Sequence, residues 1–171
     1  DVKVVPKQCY VGELPDNYQY AVIDEASHEC FIHPYKEQFS YSTVNFVKRF
    51  IVYFGYKPKI IQTDNNQEFT YIRKTDKIHP LDNIKLINII HKLIKPRTPR
   101  YNGKGEESHR NNQQRFYSYL KFYSNDDLKK QRKAYLKRSN NIPIQSLNWL
   151  SPLEMRQNII DANASIDNEN S

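Results

Sequence analysis

Asp64 ends the stretch Lys59-Ile-Ile-Gln-Thr63 and opens Asp64-Asn65-Asn66-Gln67-Glu68-Phe69. The first run reads as a buried strand and the second as a turn, so the acid lies at the carboxyl end of a strand, where open α/β sheets place their sites. A turn-forming aspartate is the plain alternative at that position. Asp1, on a strand expected alongside, and Glu106, in the first turn of a helix expected from Asn102, could converge on the same edge. Three convergent carboxylates repel one another unless cations offset them, and hard oxygen ligands suit Mg²⁺ or Mn²⁺. Two such ions, about 3.5–4 Å apart, serve an in-line phosphoryl displacement.

The elements that must position these acids follow from patterning. Residues 1–5, 20–24 and 29–35 read as three strands joined by turn-forming residues, an antiparallel meander. From Ser40 the period changes. Val44, Val47, Ile51 and Phe54 recur at three and four residues, Ser40 or Ser42 can cap the start, and Gly55 sits just past the end. Strand 59–63 follows this helix, which implies a crossover onto a parallel neighbour.

A helix is expected over 79–90 and a fifth strand over 91–95. After the proline-punctuated basic loop at 96–100, a helix runs from 102 to about 123, and another starts on a capping-box-like Ser124-x-x-Asp127 and ends near Arg138. Residues 157–171 hold three acids, no base and few apolar side chains, which predicts a disordered polar tail.

The fold class is therefore α/β, with a mixed five-stranded sheet (a three-stranded antiparallel meander plus two parallel strands) flanked by helices. Residues 1–156 form one domain. The opening on a strand without an initiator Met suggests that an upstream domain precedes it, and the family resemblance set out below implies that this is an amino-terminal DNA-recognition region.

Lys and Arg number 26 against 19 Asp and Glu, for a formal net charge of +7. Since the final fifteen residues are acidic, the body is more basic still, which suits a polyanionic partner or a solvated lysine-rich face. Lys95, Arg97, Arg100, Asn102 and Lys104 precede Glu106, while His109 and Arg110 follow it and can share its helical face. Two cysteines are too few for a secreted disulfide framework, and no apolar run approaches the ~18 residues of a membrane span. A cytoplasmic chain is expected.

His28-x-Cys30-x-x-His33 has the residue types of a metal site, but Cys30 and His33 fall on opposite faces of a strand. The aromatic residues at 116, 117, 119, 122 and 123 could stack on bases, though core packing explains such crowding equally simply.

Four separated motifs carry a family resemblance: YAVIDEAS, IIQTDNNQEF, HKLIKPRTPRYNGKGEESHRN and NWLSPLEM. In this order they resemble the integrase catalytic core of bacterial insertion-sequence transposases, a ribonuclease-H-like fold with an Asp, Asp, Glu triad. The resemblance covers roughly residues 1–156. It implies that Asp1, Asp64 and Glu106 are the catalytic acids and metal ligands, that two Mg²⁺ (or Mn²⁺) ions serve the reaction, and that Asp24 in VID is an acid outside the triad. It also implies cleavage at a transposon end, transfer of the 3′-hydroxyl strand to target DNA, and a homo-oligomer on DNA near the bacterial nucleoid, with neither membrane nor small-molecule substrate.

The chain departs from the family pattern at Asn66, where Gly is usual, and at Tyr101, Gly105 and Glu107 around the last acid. Gly105 loosens a helical turn by ~1 kcal/mol, and Glu107 sets a negative charge where phosphates approach. These substitutions motivate the alternative of a catalytically impaired remnant that only binds DNA or oligomerises.

Overall fold

The computed structural model describes residues 1–13, 17–71, 79–81, 88–94 and 116–169, with side chains up to 165. Its strands are β1 (Val2–Val4), β2 (Tyr18–Ile23), β3 (Cys30–Tyr35), β4 (Ile60–Thr63) and β5 (Ile90–Leu93). The helices are α1 (Ser40–Phe54), α2 (Asn125–Ser139) and α3 (Pro152–Glu169).

The meander forms as expected. β1 pairs antiparallel with β2 in the register Val2↔Tyr20, and β2 with β3 in the register Tyr20↔His33. β4 pairs parallel with β5, from Ile60↔Ile90 to Thr63↔Leu93. The expected single five-stranded sheet is, among the described residues, two sheets: β1-β2-β3 and β4-β5. β1 spends its hydrogen bonds on β2, and no ladder joins it to β4. What lies between the two sheets is a cavity, described below.

α1 fills the space beside the meander. Its stripe of Phe46, Val47, Phe50 and Phe54 is buried, and packs with Val2, Tyr20, Phe69, Leu81 and Ile89 in the largest core cluster. Gly55 ends the helix in the left-handed region at φ 76°, its N–H bonded to Ile51 O at 3.1 Å, a position only glycine occupies without strain. Neither expected serine caps the start. Phe39 is the N-cap and offers no side-chain bond, while Ser42 is buried against the fold.

α2 starts as the sequence predicts. Ser124 Oγ accepts from Asp127 N at 3.0 Å, and Asp127 Oδ2 accepts from Tyr123 N at 3.1 Å, a reciprocal cap. Most residues of the helices expected over 79–90 and 102–123 lie outside the described residues, and the described segment 120–123 is not helical. Phe122 instead bridges Tyr10, accepting from Val11 N and donating to Cys9 O. Burial decides this: Phe122 is wholly enclosed with Val5, Cys9, Phe116, Tyr117 and Leu128, and a continuing helix could not place it there. The aromatic cluster thus divides, with Phe116, Tyr117 and Phe122 in the core and Tyr119 and Tyr123 exposed.

The carboxyl-terminal segment also differs from expectation. Ser151 and Glu154 form a capping box, with Glu154 Oε2 accepting from Ser151 N at 2.7 Å and Ser151 Oγ accepting from Glu154 N at 3.3 Å. Pro152 stands at the first helical position, where a missing N–H costs nothing. The helix so started carries on to Glu169, through the stretch whose composition predicted a disordered tail. No helix among the described residues is long and apolar enough to cross a membrane.

A candidate metal and DNA site at the strand ends

Asp64 follows directly on β4, and local bonds fix its carboxylate. Asn66 donates twice, from its backbone N to Oδ1 at 3.2 Å and from Nδ2 to Oδ2 at 2.7 Å. The turn closes as Phe69 N and Thr70 N donate to Asn66 O, and Phe69 is buried in the core. Asn66 needs no left-handed backbone here: among the described non-glycine residues, positive φ falls at His28, Asn88, Asn148 and Trp149. The side-chain amide of asparagine thus anchors the acid by a bond that glycine could not make. Two further bonds tie the turn to β5, from Asn65 Nδ2 to Ile94 O at 2.8 Å and between Thr63 Oγ1 and His91 Nε2 at 2.8 Å.

Asp1 is held by the neighbouring sheet. Its amino group donates to Ala21 O at 3.0 Å, and its carbonyl accepts from Ala21 N at 2.9 Å. Asp1 and Asp64 both border one cavity of about 470 Å³.

Asp24 borders it too, but in another role. Its Oδ2 accepts from Ser27 N at 2.8 Å and from Ser27 Oγ at 2.7 Å, which fixes the β2–β3 turn.

Glu68 is an acid that patterning did not single out. It is 4% exposed, its Oε1 accepts from Gln38 Nε2 at 2.8 Å and its carbonyl accepts from Thr43 Oγ1 at 3.0 Å. Its place one residue before the buried Phe69 is the signal that could have marked it as enclosed.

The structure thus brings Asp1 and Asp64 to one cavity. Glu106 and the proposed DNA contacts Lys95, Arg97, Arg100, Asn102, Lys104, His109 and Arg110 lie outside the described residues. Among the described residues no three His, Cys, Asp or Glu side chains gather into a metal-binding group. Asp1 and Asp64 carry carboxylate oxygen, the donor type that suits a hard divalent ion. Cys30 packs with Ala21, Ile32 and Leu136, whereas His33 stacks on Phe31 and meets Tyr35 edge-on on the other face of β3.

The arrangement of three antiparallel strands, a crossover helix and a parallel pair can be compared with solved structures. The chain aligns with the HTLV-2 integrase catalytic core domain in complex with magnesium at a TM-score of 0.68, with 16% identity, over 91% of this chain and 92% of that one. The fold is that of a retroviral integrase catalytic core. A second such core, from BIV integrase, aligns at 0.67 with 16% identity over 86% of this chain and 90% of its own. A chain of the simian T-cell lymphotropic virus intasome in complex with PP2A regulatory subunit B56 gamma aligns at 0.69 with 15% identity over 91% of this chain. The present chain spans about half of that longer one, 52%. No protein-family model matches the sequence, and no curated protein matches it. In this chain Asp1 stands just before β1 and Asp64 just after β4.

Proposed function

We propose that this chain is the catalytic core of a bacterial insertion-sequence transposase, which cleaves DNA at a transposon end and transfers the exposed 3′-hydroxyl strand to target DNA. The supporting observation is the meeting of Asp1 and Asp64 at one cavity within an integrase-core fold. Asp1, Asp64 and Glu106 are the metal ligands in this reading, and the magnesium in the HTLV-2 core is consistent with Mg²⁺ or Mn²⁺ as the cofactor. Two bound ions would supply activation of the attacking oxygen and charge relief at the leaving one.

The chain's own contribution is positioning. Asn66 holds the Asp64 carboxylate by two bonds, and Asn65 and Thr63 lock its turn to β5. Preorganised oxygens of this kind lower the reorganisation needed at reaction. Lys95, Arg97, Arg100, Asn102, Lys104, His109 and Arg110 take the DNA backbone, so binding falls steeply with salt. Two ends must be joined at once, which calls for a homo-oligomer on DNA, working in the bacterial cytoplasm at the nucleoid.

The experiment is nicking and joining of labelled duplex DNA with Mg²⁺ or Mn²⁺, with Asp64→Asn as the comparison. The expected loss in Asp64→Asn is roughly a hundredfold or more, since even outer-shell changes at metal sites cost ~10–100-fold. Joining that persists without divalent ions, or undiminished in Asp64→Asn, overturns the assignment. No joining by the parent chain alongside salt-sensitive DNA binding favours the impaired remnant.

A further inference from the structure

α2 has two unlike faces. Leu128, Arg132 and Leu136 are buried and seat the helix, Leu128 against Phe116 and Phe122 and Leu136 against Ala21 and Ile32 of the meander. The opposite face is exposed and carries Lys129, Lys130, Lys133, Lys137 and Arg138, with Ala134 among them and the acid Asp126 in the first turn. Lys130, Lys133 and Lys137, three and four residues apart, form one row along it. Among the described residues Lys129 pairs with Asp126 at 3.0 Å and Lys130 feels the charge of Asp127, whereas Lys133, Lys137 and Arg138 make no ion pair. Like charges at these spacings oppose a helix. The concentration is local, since the base of α3 is Arg156, which is turned inward to Glu29.

A row of cations suits an anionic partner, and the rest of the face decides which. Helices that lie on membranes bury an apolar face, and protein interfaces centre on large buried anchors. The exposed residues of α2 offer no apolar side chain larger than Ala134. A phosphate backbone needs no such anchor, because counterion release supplies the binding. Lys130 to Lys137 rise over about 10 Å of helix axis, the length along which one strand of duplex DNA presents about three phosphates. We propose that the exposed face of α2 binds the phosphate backbone of duplex DNA, with Lys130, Lys133 and Lys137 as its contacts and Lys129 and Arg138 at its margins. This surface is separate in sequence from the contacts assigned between Lys95 and Arg110, and it needs neither metal nor strand transfer.

The test uses the whole chain without divalent ions, so that cleavage does not enter. Fluorescence anisotropy follows binding of two labelled duplexes of unrelated sequence between about 50 and 200 mM salt. The slope of log Kd against log salt carries about 0.9 for each phosphate contact. Lys130→Gln/Lys133→Gln/Lys137→Gln is therefore expected to lower it by about 2–3 on both duplexes, and to weaken binding about tenfold or more. Lys36→Gln/Lys48→Gln/Lys57→Gln removes the same charge from exposed positions elsewhere and is expected to change the slope by less than about 1. Circular dichroism checks the fold of both variants. A fall below about 1 in the α2 variant, equal falls in the two variants, a loss confined to one duplex, or a parent chain that does not bind overturns the proposal. Phosphatidylserine vesicles bound as tightly as DNA and released by the α2 variant also overturn it, in favour of a membrane surface. If the triple α2 variant does not fold, Lys133→Gln alone decides, with an expected fall of about 1 and an unchanged slope as the refuting result.

Discussion

Arg156 closes the NWLSPLEMR segment onto the rest of the fold, and its removal makes a quantitative test of how that segment is held. Its Nε lies 2.9 Å from Glu29 Oε2, and the Glu29 side chain is fully enclosed. The N–H is not aligned on that oxygen, which makes no hydrogen bond within the described structure, so the contact is charge against charge. Nη1 donates to Tyr53 O at 3.1 Å and Phe54 O at 3.3 Å, the last carbonyls of α1, where a cation also meets the negative helix end. Arg156→Ala leaves Glu29 buried without its counter-charge. Breaking such a pair costs about 3–5 kcal/mol, and because 22% of the Arg156 side chain is exposed the low end, ~3 kcal/mol, applies.

For a domain of this size that is a fall in Tm of about 6–12 °C. The pH dependence distinguishes this cause from simple lost packing. Burial raises the Glu29 pKa above its ordinary 4.5, with the Tyr53 hydroxyl and then Arg156 pulling it back. Removing Arg156 raises it further. A carboxyl with a raised folded pKa is favoured when protonated, so the penalty is small below 4.5 and grows as pH rises through the folded value. Urea unfolding of parent and Arg156→Ala at pH 4 and pH 7 should therefore show a deficit of ~3 kcal/mol at pH 7 shrinking to ~1 kcal/mol at pH 4, and Glu29→Gln in the Arg156→Ala background should recover part of it. A deficit below ~1 kcal/mol at pH 7, or one independent of pH, refutes the account.

Arg132 presents the opposite case. It is 2% exposed, lies over the rings of Phe116 and Tyr117, bonds the Tyr117 hydroxyl, and leaves Nε and Nη1 without an acceptor among the described residues. Arg132→Met keeps the stem and drops an uncompensated charge, and should raise stability by about 1–3 kcal/mol in chemical denaturation; a loss would show that the guanidinium is paired. His33 is held at about 4 from an ordinary 6.5 by burial and by Arg49, Lys129 and Arg132. A histidine lowered in the fold contributes stability above 6.5 that is lost as pH falls toward 4. His33→Gln should therefore flatten the acid limb of the stability profile by roughly 1–2 kcal/mol between pH 7 and 4.5. Gly55→Ala meets no atom within 4 Å but keeps φ at +76°; calorimetry should show a cost of about 1 kcal/mol from strain alone, and no change would mean that the backbone relaxes.

The sequence was most legible where one local rule agreed with the packing. The recurrence of Val44, Val47, Ile51 and Phe54 with Gly55 behind it marks α1 and its end because helical period and C-terminal glycine point the same way, although the buried face is Phe46, Val47, Phe50 and Phe54. Ser124 and Asp127 did the same for the start of α2. Asp64 was legible as the end of a strand, since an apolar run followed by Asn65-Asn66 favours a turn there, although β4 is buried only at Thr63 and not along its length. What patterning missed lay where distant contacts overrule local preference. Phe122 continues a helical-looking aromatic run, yet its place between Tyr10 and Leu128 is fixed by residues from the other end of the chain. Ser151-Pro152-Leu153-Glu154 was readable as a helix start and was outweighed by the polar composition beyond it.

The candidate site follows the same logic. Strand patterning could locate Asp1 and Asp64 separately, but not the space between them, because whether β1 and β4 share a ladder is a tertiary matter that periodicity does not encode. That space explains why an acid pair and an apolar chamber occur together. Among the described residues the two sheets pair internally but not with each other, and the cavity between them is lined by phenylalanines of α1 together with Asp1, before β1, and Asp64, after β4. One architectural fact, the separate pairing of β1 with β2 and β4 with β5, thus gives the site both its charge and its depth.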